Sequence, residues 1–327
     1  MSELLLIGAG QLGSRHLQGL SRVPGDNRIF VIDPSRESLV RAESRLTEVT
    51  DRNTKNLYSF QTSFDSVSEN IDLVIVATNS DVRREALDSC ISRGKFKNLI
   101  LEKFLFQKKE DFFEVQKTLK TKNITAWVNC ARREFPEFQT LKEKFRGNPI
   151  QEVSVSGSNW GMGCNSIHFV DLISYLSDSI EYTLEGNDLM QELYETKRVG
   201  YIEFLGSIQG KFDKGPHFTI TSTLSEGQGI QIFIKSATFS ALIFQSEQRV
   251  LFLQKDGENQ LETVEPFLIH YQSDLTCKVV TSILETGKCN LTKYDESAKL
   301  HMPLFDLFLN HYKKISGNLT ELRCPIT

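Results

Sequence analysis

Four apolar residues in a row, Leu4-Leu5-Leu6-Ile7, run directly into Gly8-Ala9-Gly10-Gln11-Leu12-Gly13. An apolar run of that length suits a strand buried on both faces, as in a parallel sheet covered by helices above and below. The glycines that follow, spaced G-x-G-x-x-G, point to a tight turn and then a helix. Gly8 permits the turn, Gly10 lets the backbone approach a diphosphate, and Gly13 lets the helix pack closely on the strand. The free N–H groups of the first helical turn, at Gln11 and Leu12, would receive that diphosphate. A second apolar strand, Ile29 to Asp33, ends in an acid 20 residues beyond Gly13. A carboxylate at Asp33 accepts hydrogen bonds from ribose hydroxyls and repels a 2'-phosphate, so NAD is the expected cofactor. Arg36 would host such a phosphate and keeps NADP as the alternative.

The same alternation of short apolar runs with polar, helix-period segments continues to about residue 129. Further strands are expected over Leu57 to Phe60, Leu73 to Ala77, Leu99 to Leu101 and Ile124 to Val128, with helices starting near Leu12, Ser35, Asp81 and Lys109. Ser35 and Asp81 are suitable N-caps. This is an α/β, doubly wound parallel sheet. The texture then changes. Helices are expected over Pro136 to Phe145 and Ser166 to Leu176. Strands follow over Glu152 to Gly157, Tyr201 to Phe212, Phe218 to Leu224, Ile230 to Lys235, Thr238 to Phe244 and Arg249 to Gln254. Several alternate apolar and polar residues, which predicts a large, mainly antiparallel sheet with one covered face. Helices near Tyr271 to Glu285 and Asp295 to Ile315 close the chain. Two domains are expected, 1–129 for the dinucleotide and 130–327 for substrate and oligomerisation, and the closing helices are free to pack back on the first.

Bulk properties remove several classes of function. A net charge of −4 gives no basic footprint for nucleic acid. No apolar run is long enough to span a bilayer, and the first strand starts too near Met1 for a signal peptide, so a cytoplasmic protein is expected. The six cysteines are scattered and there is no H-E-x-x-H, so neither disulfides nor a metal is expected. N-x-T triplets at Asn123, Asn290 and Asn318 carry no meaning without export.

Ligands of open α/β sheets collect at the carboxyl ends of the strands. The loop Ala77-Thr78-Asn79-Ser80-Asp81-Val82-Arg83 and the exit Leu101-Glu102-Lys103-Phe104 both lie there, so Thr78, Asn79, Glu102 and Lys103 are expected to border the cofactor. An ordinary capped loop and a solvated lysine are the alternatives. The segment Asn159-Trp160-Gly161-Met162-Gly163-Cys164-Asn165 is read as a loop lining a substrate pocket, with Trp160 either stacking on a sugar or filling the core.

Taken together, GAGQLGSRH, VIDPS, VIVATNSDVR, LEKF, VNCARREFP and SIHFVDL resemble the glucose-fructose oxidoreductase / inositol dehydrogenase / MocA family of nicotinamide-dependent sugar oxidoreductases. The resemblance implies an N-terminal Rossmann domain, a C-terminal domain with an open sheet, and homodimers or homotetramers formed through that sheet. It implies Lys103 as the catalytic lysine and His168 as the active-site histidine, with Arg132, Trp160, Cys164, Asn165 and Asp171 around a carbohydrate-like substrate. Alcohol oxidation leaves a proton to be removed, and a desolvated lysine beside a cationic ring, or a histidine, suits that task. Two departures stand out. Phe104 follows the lysine where the family has proline, and Cys164 occupies the place of an aspartate four residues before the histidine. The second departure leaves a non-catalytic, dinucleotide-binding regulator or scaffold as the alternative. YDESAKLH and CPIT are similar in texture to family members associated with bacterial surface-sugar biosynthesis.

Overall fold

The computed structural model describes residues 1–196, 198–225, 227–256 and 259–327. The opening apolar run forms β1 (Ser2–Ile7), in which Leu4 through Ile7 are all buried. Then follow α1 (Gln11–Leu20), β2 (Asn27–Ile32), α2 (Arg36–Thr47), β3 (Leu57–Gln61), β4 (Asn70–Val76), α3 (Ser80–Arg93), β5 (Lys95–Leu101), α4 (Lys109–Lys122) and β6 (Thr125–Val128). Ser35 caps α2 as expected, its hydroxyl accepting the Ser38 N–H at 3.2 Å. Helix α3 differs from expectation. Its N-cap is Asn79, and Asp81 lies inside the first turn, where a carboxylate complements the positive helix end.

A short 3-10 turn, Ala131–Glu134, leads to α5 (Pro136–Lys144), β7 (Glu152–Ser158), α6 (Met162–Ser177), β8 (Tyr182–Leu189), β9 (Tyr194–Glu195) and β10 (Ile202–Glu203). Strands β11 (Gly206–Phe212), β12 (His217–Thr223), β13 (Gln231–Lys235), β14 (Phe239–Phe244), β15 (Arg249–Asp256) and β16 (Asn259–Pro266) complete the run of strands. The chain ends with α7 (Gln272–Thr286), β17 (Thr292–Lys293) and α8 (Tyr294–Ser316). Two expectations need correction. Helix α6 begins at Met162 rather than Ser166, which moves Cys164 and Asn165 from a loop onto a helix. The single strand expected over Tyr201 to Phe212 is broken into β10 and β11, because Gly206 turns the backbone with φ +116°.

The chain divides into two compact units. The first comprises Met1–Phe106, Glu110–Glu134 and His270–Asp295; the second comprises Gln107–Lys109, Phe135–Ile269 and Glu296–Thr327. In the first, a seven-stranded sheet has the order β17-β6-β5-β4-β1-β2-β3. Its strands are parallel apart from the β17 to β6 pair. The strand order reverses between β1 and β4, and in open α/β sheets that is the point where ligands bind. Helix α7 belongs to this unit and lies close to α1, since a Cβ on Gly19 would stand 2.5 Å from the Ser273 carbonyl oxygen. The division therefore does not fall at one point after Asn129.

The second unit carries an eight-stranded sheet, β16-β15-β14-β13-β7-β12-β11-β8, antiparallel apart from the β7 to β12 pair. Alternation decides its faces. Val153, Val155, Ile220, Ile232, Ile234 and Ile243 are buried on one side, while Ser154, Ser156, Thr219, Thr221, Phe233 and Leu242 are half-buried on the other.

Candidate functional site

The glycine turn stands at the reversal of the strand order. Gly8 has φ +96°, and a Cβ there would meet the Ala77 carbonyl carbon and the Thr78 nitrogen, each at 3.0 Å. This glycine therefore does two things, making the turn and admitting the exit of β4. A Cβ on Gly13 would fall 1.9 Å from the Gly8 carbonyl oxygen, so only glycine lets α1 approach this closely. Gly10 is different. No protein atom lies within 4 Å of the position its Cβ would take, and the space above it is open. Gly10 caps α1 without a side-chain hydrogen bond, and no acid stands in the first turn. An open cradle at the positive end of a helix suits a diphosphate.

Asp33 borders the same turn. One carboxylate oxygen accepts the Ala9 N–H at 2.7 Å and the other the Ser35 N–H at 2.8 Å, which fixes the group beside the loop. Arg36 is exposed at the start of α2, and Gln11 and Leu12 open α1, the first exposed and the second half-buried. Sequence reasoning missed Arg45, whose guanidinium reaches back along α2 to the Gln11 side chain, at 2.7 Å, and to the Ser14 hydroxyl. The Thr78 hydroxyl oxygen is buried and has no hydrogen-bond partner in the fold, while Asn79 is exposed. An orphaned hydroxyl beside the open glycine turn fits the edge of a bound dinucleotide. The residues present accordingly fit NAD, which Gly8, Gly10, Gln11, Leu12, Gly13, Asp33 and Thr78 would hold.

The exit of β5 is built around buried polar groups. From Leu101 to Gln107 every residue is buried except Lys103, which is half-buried. The Lys103–Phe104 peptide bond is cis. Glu102 does not face outward; its Oε1 accepts from the Asn129 side-chain amide and lies 2.8 Å from His16 Nε2. His16 Nδ1 lies 2.9 Å from the Thr276 hydroxyl of α7, and Asn129 also donates to Gln272. Burial alone would raise the pKa of Glu102, but the hydrogen bond and charge of His16, the hydrogen bond from Asn129 and the charge of Lys103 outweigh it and hold the carboxyl below its usual range. In the same unit Arg132 is half-exposed by surface area yet densely enclosed, and desolvation pushes its pKa down to about 10. It remains a cation at neutral pH.

In the second unit α6 is buried over most of its surface. Its half-exposed positions include Cys164, Asn165 and His168, which with Gly161 form one stripe at helical spacing. Asp171, implied by the resemblance to border the substrate, is wholly buried, and Ser166 and Ile167 are buried too. Trp160 is 9 % exposed; its indole N–H donates to the Thr221 carbonyl at 2.8 Å and its ring meets Phe169 edge to face. Of the two roles weighed for this tryptophan, these contacts are those of the core. A carboxylate from another element does stand close to Cys164. Glu203 on β10 accepts the Gly163 N–H at 2.6 Å and the Cys164 N–H at 3.4 Å, so a negative charge sits at the start of α6. No local signal announces it, because Glu203 follows Cys164 by 39 residues.

None of the six cysteines forms a disulfide. Among the described residues no helix is long and apolar enough to cross a membrane, and no group of three or more His, Cys, Asp or Glu could hold a metal.

Comparison with known proteins agrees with this geometry. Residues 3–130 match the family described as an oxidoreductase family with an NAD-binding Rossmann fold, GFO_IDH_MocA. The matched stretch contains the glycine turn and Asp33 and runs through β6. Several solved structures share the fold over nearly the whole chain. A UDP-N-acetylglucosamine 3-dehydrogenase, GnnA, from Acidithiobacillus ferrooxidans is 12% identical with a TM-score of 0.70, covering 93% of this chain and 95% of that one. An oxidoreductase from Agrobacterium radiobacter in complex with NAD+, L-tartaric acid and magnesium is 13% identical with a TM-score of 0.71, covering 97% and 99%. A super-repressor mutant of Gal80p from Saccharomyces cerevisiae is 11% identical with a TM-score of 0.71, covering 96% of each chain. No curated protein sequence matches the chain.

Proposed function

We propose that the protein is an NAD-dependent oxidoreductase that interconverts a hydroxyl and a carbonyl on a sugar, nucleotide sugar or sugar acid, with NADP as the alternative cofactor. The observation that carries this reading is Lys103, the one half-buried residue in a run otherwise buried, at the exit of β5, which neighbours β4, the strand whose exit meets the glycine turn. The nicotinamide supplies the hydride acceptor or donor. Lys103 takes the proton from the substrate hydroxyl in oxidation and returns it in reduction. In the first unit Arg132 offers a cation to a carbohydrate-like ligand, and in the second the stripe of Cys164, Asn165 and His168 offers it polar groups, His168 being suited to a hydroxyl. Trp160 and Asp171 support that surface from beneath. GnnA, as a UDP-N-acetylglucosamine 3-dehydrogenase, lends weight to a nucleotide sugar. The open sheet face, with Phe233, Leu242, Phe244 and Leu251 half-buried, supports assembly into homodimers or homotetramers.

The test is a panel of myo-inositol, glucose, UDP-N-acetylglucosamine and glucuronate, followed by NADH absorbance. With the best member, Lys103→Ala should lower kcat by about 10²- to 10⁴-fold while NADH affinity stays within about threefold. Unchanged turnover would remove Lys103 from the chemistry. A second reading, a dinucleotide-binding regulator without catalysis, is favoured by Cys164 and by the likeness to Gal80p. NADH binding with no turnover on any panel member, together with a specific protein partner, would support it.

A further inference from the structure

Lys103 is held from both sides. On one side the Glu102 N–H donates to the Val76 carbonyl at 3.1 Å, and the Glu102 side chain is locked between His16 and Asn129. On the other side Phe104, Leu105 and Phe106 are wholly buried. Strands β4 and β5 pair as far as Val76 and Leu101. Past that point the backbone bonds run from Glu102 to Val76 and from Ala77 to Ile7 of β1, the latter at 2.8 Å. The carbonyls of Thr78, Phe104 and Leu105 lie past the end of the ladder, where a buried acceptor without a donor is costly.

Arg83, in the first turns of α3, spans this gap. Its Nη1 donates to the carbonyls of Phe104 and Leu105, the latter at 2.9 Å, and its Nη2 donates to the carbonyl of Thr78. The side chain is 1 % exposed. Withdrawing a guanidinium from water is expensive, and an apolar side chain would fill the volume without that penalty. A planar fork with donors at both ends, however, reaches carbonyls on two separate strand exits, which an ammonium cannot do in one geometry.

We propose that Arg83 is a positioning residue for Lys103, tying the exit of β5 to the exit of β4 so that the lysine amine and the Thr78 loop keep a fixed spacing. The inference rests on the reading of Lys103 as the proton-transfer group. A misplacement of about 1 Å in a reacting group costs on the order of 100-fold in rate. Arg83 therefore acts on turnover mainly through Lys103, and its hold on the Thr78 carbonyl adds a smaller effect on the affinity for NADH.

A double-mutant cycle tests this with the full-length chain, NAD+ and the best panel substrate. Arg83→Met should lower kcat by about 30- to 100-fold, with a clearly smaller loss of NADH affinity and a substrate KM within about threefold, and Arg83→Lys should recover part of the loss. In a Lys103→Ala background Arg83→Met should cost less than about threefold, because the group it positions is gone. Losses that multiply in the double variant, or wild-type kcat in Arg83→Lys, would overturn the proposal. Should Arg83→Met not fold, the cycle is run with Arg83→Lys and read in the same way. Wild-type turnover in Lys103→Ala alone, or no turnover on the whole panel, would instead defeat the underlying reading and the inference with it.

Discussion

Replacing Gly10 by alanine separates cofactor binding from folding more cleanly than any other change in the glycine turn. Its backbone has φ −66° and ψ −161°, which alanine adopts, and its new Cβ would meet no protein atom within 4 Å. The substitution should therefore leave the apo fold intact, or stabilise it by about 0.4–1 kcal/mol through the unfolded chain, raising Tm by roughly 1–4 °C. The methyl instead occupies the space a diphosphate needs. Crowding by one methyl costs about 1–3 kcal/mol, which is roughly 5- to 150-fold in NADH affinity. At a ligand concentration about 100 times the wild-type Kd, NADH should stabilise the wild type by about 2.7 kcal/mol, and a 100-fold weaker variant by about 0.4 kcal/mol. Thermal melting with and without NADH reads both quantities at once. A full NADH-induced shift in Gly10→Ala, or an apo Tm several degrees below wild type, would refute the reasoning.

Other perturbations follow from the same geometry. Gly13→Ala should behave oppositely to Gly10→Ala, lowering the apo Tm by several degrees in a melt without ligand, because its Cβ would sit 1.9 Å from the Gly8 carbonyl oxygen. Glu102, depressed from its ordinary 4.5, contributes stability that is present above that value and lost as pH falls through its lower folded-state value. Urea midpoints of the wild type should thus drop more steeply below pH 4.5 than those of Glu102→Gln, and parallel curves would contradict the assignment. Trp160→Phe should destabilise the second unit by about 1 kcal/mol in urea melts through the lost bond to Thr221, while substrate KM stays unchanged.

The first unit was legible because its signals are local. A buried parallel strand writes four apolar residues in succession, and the turn after it confines three glycines to fixed offsets. The cap at Asn79 was read two residues late, since asparagine and aspartate serve equally well there and nothing in the sequence ranks them. The second unit hides its determinants in long-range contacts. Helix α6 starts at Gly161, which has φ +75° and no side-chain cap, so no start signal precedes Met162. The cap is the Glu203 carboxylate, brought in by β10 from 39 residues away. The run from Tyr201 to Phe212 reads as one strand until Gly206 is seen to turn with φ +116°. Strand β8 escaped notice because, at the sheet edge, residues such as Thr183 and Asp188 are exposed and its alternation is mostly polar. Arg83 closes the segment that begins at Ala77, yet that its guanidinium bridges two strand exits depends on β4 and β5 being neighbours.

The most direct measurement is a calorimetric titration of NADH into the wild-type chain. Saturable binding of one NADH per chain, weakened in Gly10→Ala, is the predicted result. Absence of binding heat for NADH and NAD+ alike across a range of temperatures would contradict the claim that the turn at Gly8 to Gly13 holds a nicotinamide dinucleotide.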